Sequence, residues 1–104
     1  MDATPIDETI DPLDPDSVCD QASFFAFLRA LIADRTAAVV SERGNPSSPV
    51  EPDAGGWQNT TIESFLDGAL SWAEDTDMGT SQGLPFEPSW RTFAVFLYCG
   101  KIYE

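Results

Sequence analysis

Apolar residues recur with helical spacing in three separate stretches of this chain, and turn-forming residues fill the gaps between them. In the first stretch Phe24, Phe27, Leu28, Leu31, Ile32 and Arg35 stand at i, i+3, i+4, i+7, i+8 and i+11, one face of a helix. Phe25 widens that face. Asp20 stands where an N-cap is needed, since its carboxylate can accept from the first-turn amides and suits the positive end of the helix dipole. Gly44-Asn45-Pro46 is a breaker cluster, so the spacing predicts a helix over residues 20 to 42.

In the second stretch Ile62, Phe65, Leu66, Ala69, Leu70 and Ala73 share one helical face. Thr60 and Glu63 have the spacing of a capping box, with Asn59 as the competing cap, and predict a helix over residues 60 to 75. Trp57 sits at its mouth, where an indole plugs the edge of a core or anchors a partner. The third stretch opens at Pro88 or Ser89. Trp90, Phe93, Ala94, Leu97 and Lys101 form a stripe, and Val95, Phe96, Tyr98 and Ile102 make the segment apolar almost all round. A helix over 88 to 103 of that kind should be the most buried. A strand over Phe93 to Tyr98 with a turn at Cys99-Gly100 is the rival reading, because short apolar runs are ambiguous by period.

These elements predict an all-α fold, a small three-helix domain in which Phe27, Leu31, Phe65, Leu66, Leu70, Phe93 and Leu97 share one core. Residues 44 to 56 and 79 to 88, rich in Gly, Ser and Pro, are the loops, and the first is long for a helix connection. The 104-residue length suits one core and not two. Residues 1 to 16 are Asp/Glu-rich and broken by Pro5, Pro12 and Pro15, with too few apolar groups to offset the entropy of ordering them. They are expected to form a disordered acidic tail, with Ile10, Leu13 or Val18 touching a single helical domain over residues 17 to 104.

Charge changes the picture next. Eighteen Asp and Glu against five Lys and Arg give a net charge of -13, which argues against nucleic acid or an anionic membrane as a partner. A partner recognised by charge should be a basic protein. From Gly44 to Trp90 there are eight acids and no Lys or Arg. On the second helix Glu63, Asp67, Ser71 and Glu74 form a polar strip, and Glu63 and Asp67 repel across one turn. Glu74, Asp75 and Asp77 crowd the negative end of that helix, where cations are preferred; such broken rules are where function or strain is expected. Candidate partner-binding residues are therefore Trp57, Glu63, Asp67, Glu74, Asp75 and Asp77.

The run Trp57-Gln58-Asn59-Thr60-Thr61-Ile62-Glu63-Ser64-Phe65-Leu66, the earlier Phe24-x-x-Phe27-Leu28, the later Trp90-x-x-Phe93-Ala94 and the ending Tyr103-Glu104 resemble a family of small bacterial proteins catalogued as a domain of unknown function. The resemblance covers about residues 18 to 104. It implies an all-helical domain in a bacterial cytoplasm and brings no activity, cofactor or catalytic residue.

Chemistry is sparse. Without a histidine there is no Ser-His or Cys-His pair, and no phosphate-cradling Gly loop occurs. Asp75 to Gly79 echoes the start of a calcium loop but lacks the glycine at position 6 and has Phe86 at position 12. Cys19 and Cys99 lie far apart and are expected to be two reduced thiols. No catalytic, cofactor-binding or metal-ligating residue is expected. The start lacks a basic segment followed by an apolar run, and no apolar stretch approaches the roughly 20 residues of a membrane span, so a cytoplasmic protein is the expectation. Two functional classes fit: a small acidic protein-binding module, in its sharpest form immunity- or antitoxin-like, and a structural or accessory domain whose charge serves solubility. A carboxylate-based hydrolase is the third reading.

Overall fold

A computed structural model describes residues 11–103. They form three α-helices, α1 (Gln21–Gly44), α2 (Ile62–Thr76) and α3 (Trp90–Ile102), with short 3-10 turns at Pro15–Ser17, Ala54–Gly56 and Thr80–Gln82. The all-α, three-helix class read from the spacing is the class observed. The strand reading of residues 93 to 98 fails, since all of them lie within α3.

Each helix begins at a hydroxyl or carboxylate that takes first-turn amides. Asp20 accepts from the Ser23 amide while the Ser23 hydroxyl accepts from the Asp20 amide, a reciprocal box at the start of α1. The box on α2 is shifted by one residue from the predicted one. Thr61, not Thr60, is the cap, and Ser64, not Glu63, closes it. The physical reason is that Asn59 is held elsewhere, by the end of α3, which delays the first helical residue to Ile62. Ser89 caps α3 by accepting from the Thr92 amide.

Both α1 and α2 pack on α3, α2 the more extensively, and they diverge from one another. The main core joins Val18, Phe27, Leu31, Ala38, Trp57 and Ala94, with Leu13, Phe65, Leu97 and Tyr98 packed around it. A second buried group lies between α2 and α3, where Trp72 meets the edge of Phe96 and donates its indole N–H to Gln82 Oε1 at 2.9 Å. The predicted core is right for Phe27, Leu31, Phe65 and Leu97. It is wrong for Leu66, Leu70 and Phe93, all of which are substantially exposed. The buried face of α2 is turned toward Phe65, Gly68, Ala69, Trp72 and Thr76, because Trp72 and the two small residues let α3 approach closely. Ile32, assigned to the buried stripe of α1, also faces outward.

Of the expected tail, residues 1–10 lie outside the described residues. Its last six are described. Asp14 caps the Pro15–Ser17 turn by accepting from the Asp16 amide, that turn packs on α3, and Leu13 and the fully buried Val18 reach the core. Among the described residues no helix is long and apolar enough to cross a membrane.

A clasp at Trp57 and Asn59, and an exposed acidic strip

Trp57 is buried, and its surroundings explain why. Its indole N–H donates to Asp34 Oδ2 at 2.9 Å, and the same oxygen accepts from Lys101 Nζ at 2.7 Å. Arg35 and Lys101 place their cationic groups 5.3 Å from the indole ring, and Phe65 stacks against it with centroids 6.2 Å apart. Arg35 also pairs with Asp53 at 3.2 Å. Lys101 is almost fully buried, so Asp34 is the charge that makes its burial tolerable. One side chain from the loop is thus held by α1, α2 and α3 together. The indole fills the core edge, and its polar atom is already satisfied.

Asn59, two residues on, closes the other half of the clasp. Its side-chain amide donates to the carbonyls of Gly100 at 2.9 Å and Tyr103 at 2.7 Å, while the Gln58 and Asn59 amides both donate to the Lys101 carbonyl. Those carbonyls are the ones left without partners where a helix ends. A Cβ at Gly68 would stand 2.7 Å from the Tyr103 carbonyl oxygen, so α2 needs glycine where the end of α3 crosses it. Gly100 answers it from α3, where a Cβ would stand 2.9 Å from the Phe65 ring. The residues that carry the sequence resemblance, Trp57, Asn59, Phe65 and Tyr103, are therefore largely spent on joining the 57–61 segment, α2 and the end of α3.

The long loop after α1 is tied down in the same way. Glu42 accepts from the Ser47 amide and hydroxyl at 2.8 and 2.6 Å and from the Ala54 amide at 2.8 Å. Those bonds, the Ser47 hydroxyl first, hold its carboxyl below the ordinary carboxylate range.

The candidate acids lie on α2 and just beyond its end, all at exposed positions. Glu63, Asp67 and Glu74 follow one another along a single exposed strip. Neither ion pair among the described residues involves them. Beside that strip, toward α1, runs an exposed apolar ridge of Ile62, Leu66 and Leu70. Ile62 and Leu66 join Leu31, Ile32 and Phe65 in lining an open groove of about 390 Å³ between α1 and α2. The acids at the end of α2 are partly engaged. Asp75 accepts from the Tyr103 hydroxyl at 2.6 Å, which pushes the phenol above its ordinary value, and Asp77 accepts from the Thr80 hydroxyl at 3.3 Å. Asp77 and Met78 adopt left-handed conformations with φ of 53° and 54°. That geometry lets the Met78 amide reach back to the Ala73 carbonyl at 2.7 Å, closing the helix end without a glycine at its cap.

The six candidates do not form one site, because Trp57 faces inward and the acids face outward. Asp34, Lys101, Gly68 and the outward-facing Ile32 were missed. Only the excess of apolar residues on α1, more than one stripe accommodates, hinted at the last. Both cysteines are free thiols; Cys19 is exposed, and burial pushes the Cys99 thiol up to about 11. Among the described residues no group of three or more His, Cys, Asp or Glu is placed to hold a metal ion.

Comparison with curated proteins and with solved structures finds no match to the chain. A family model does match, over residues 20–104, from the cap of α1 to the last residue. The chain belongs to that family, the family of unknown function DUF7660.

Proposed function

We propose that this chain is a small acidic protein-binding module that docks a basic partner through the outer face of α2. The observation that carries this reading is the strip of Glu63, Asp67 and Glu74, exposed and without a cationic partner among the described residues, in a segment from Gly44 to Trp90 that contains no Lys or Arg. Like charges one turn apart cost a few tenths of a kcal/mol, and a basic partner would relieve them. The sharpest form of the proposal is an immunity- or antitoxin-like protein that blocks a nuclease, because an acidic surface can occupy a cleft shaped for phosphates and be steered to it rapidly. The described residues offer no histidine or metal cluster for catalysis, and the reading assigns none. It also places the module in the cytoplasm.

The test is capture of partners on the immobilised protein at low and then moderate salt, followed by association kinetics with each partner identified. Reversing Glu63, Asp67 and Glu74 to Lys should slow association by about tenfold or more, and salt should do the same to the unmodified protein. A partner whose association ignores both would leave charge with solubility alone, as in an accessory domain.

A further inference from the structure

The outer face of α1 is unlike the rest of this acidic protein. Arg29, Ile32, Thr36, Val40 and Arg43 fall on one strip of that helix, all exposed, and no Asp or Glu lies among them. Ile32 is 66% and Val40 59% exposed. A chain with five cations therefore puts two of them at the ends of an uncovered apolar strip. The ridge of α2 has the same shape and the opposite charge. Ile62, Leu66 and Leu70 are 78%, 55% and 50% exposed, and Glu63, Asp67 and Glu74 border them.

From these two strips the geometry points to self-association: a second copy of this chain covers the face, with α1 of one copy lying along α2 of the other and the contact made twice about a two-fold axis. Three observations favour that occupant. The strips match in length, because Ile32-Thr36-Val40 and Ile62-Leu66-Leu70 are both i, i+4, i+8 runs of about 12 Å. They match in charge, because in an antiparallel arrangement Arg43 comes within about a turn of Glu63 while Arg29 comes beside Glu74. They also border one groove, lined by Ile32, Ile62 and Leu66, so both strips lie on the same side of the molecule, as a contact made twice about a two-fold axis requires.

The area is of the right order. Five aliphatic side chains at least half exposed put on the order of 500 Å² on each copy; the resulting total, before the polar rim, approaches the roughly 1,200 Å² at the lower bound of specific interfaces. The shape agrees. The structure measures 42 × 40 × 18 Å with a radius of gyration of 15.1 Å, against about 13 Å for a compact domain of 100 residues. Two such slabs stacked face to face would have the thickness that one lacks. This inference does not rest on the proposed basic partner, but the two share Glu63 and Glu74, so a second copy and a basic partner would compete for the same acids.

Sedimentation analysis of the full chain at physiological salt, where repulsion between two copies of charge -13 is screened, tests it. A dimer is expected at micromolar to near-millimolar concentrations. Ile32→Lys and Leu66→Lys both reduce the net negative charge, so general repulsion cannot explain a loss. Each should weaken dimerisation by on the order of 10- to 100-fold with an unchanged circular dichroism spectrum. Mixing the two variants should restore part of the association, because the mixed dimer keeps one of its two contacts intact. A wild-type chain that stays monomeric, or a dimer indifferent to both substitutions, overturns the inference. A monomer whose binding to a basic partner is weakened by Leu66→Lys gives the face to that partner, which overturns self-association and leaves the reading of the acids standing.

Discussion

Phe27 and Leu66 are both large, apolar and in helical register, yet they face opposite fates. Phe27 is wholly buried where α1 meets Val18, Trp57 and Ala94, whereas Leu66 is 55% exposed beside the groove. Removing a buried phenyl forfeits its transfer energy and leaves a cavity that rigid neighbours do not fill. Phe27→Ala should therefore cost about 3–5 kcal/mol in urea unfolding, while Leu66→Ala, measured at dilution so that copies stay apart, should cost less than about 1 kcal/mol. Similar losses for the two would mean that α2 is rotated from the position described. Trp57 teaches the same lesson in the polar direction. Its ring would suit a partner, but Asp34 already takes its N–H, and Arg35, Lys101 and Phe65 already cover its faces.

Among the elements, the loop between α1 and α2 owes its order to α1. Asp34, Arg35 and Glu42 reach Trp57, Asp53, and Ser47 with Ala54, respectively, so three points along one helix hold the loop against it. Glu42 makes this testable by pH. Its folded carboxyl titrates below its ordinary value of 4.5, so the unfolded chain takes up the proton first as pH falls. Its contribution is complete above that ordinary value and is lost as pH falls through the lower, folded value. The melting temperature of Glu42→Gln should accordingly lie below that of the wild type near neutral pH, and the gap should close in acid. A gap that is constant across that range would show that the carboxylate bonds contribute nothing to folding.

For the molecule as a whole, the main question is where the fold begins. The family match starts at Asp20, but the core includes Val18 and is touched by Leu13. A chain beginning at Asp11 should melt within a few degrees of the full chain, because the composition of residues 1 to 10 offers little to bury. One beginning at Cys19 loses the buried Val18 and the packed Leu13, about 2–3 kcal/mol, and should melt on the order of 10–20 °C lower. Equal melting of the two shortened chains would remove the Pro15–Ser17 turn from the fold.

The chain's own pattern determined the helices. Helix starts are local events, settled by a hydroxyl or carboxylate within three residues of the amides it takes, and the 3.6-residue period needs no knowledge of neighbours. The one-residue slip at Thr61 arose where a distant group intervened, since Asn59 was drawn to carbonyls more than 40 residues away. Tertiary structure alone decided which apolar stripe is buried. Period identifies an apolar face but not how far its helix turns when packed, and on α2 the indole of Trp72 and the space at Gly68 and Ala69 outweighed three aliphatic residues of the more regular stripe. The pairing of Lys101 with Asp34 across 67 residues was equally invisible, because nothing local marks a lysine whose partner lies on another helix. The acids of α2 were legible from the start, since a surface charge stays outside however the core is packed. The ridge beside them emerged only when the helices were seen to diverge and leave it uncovered.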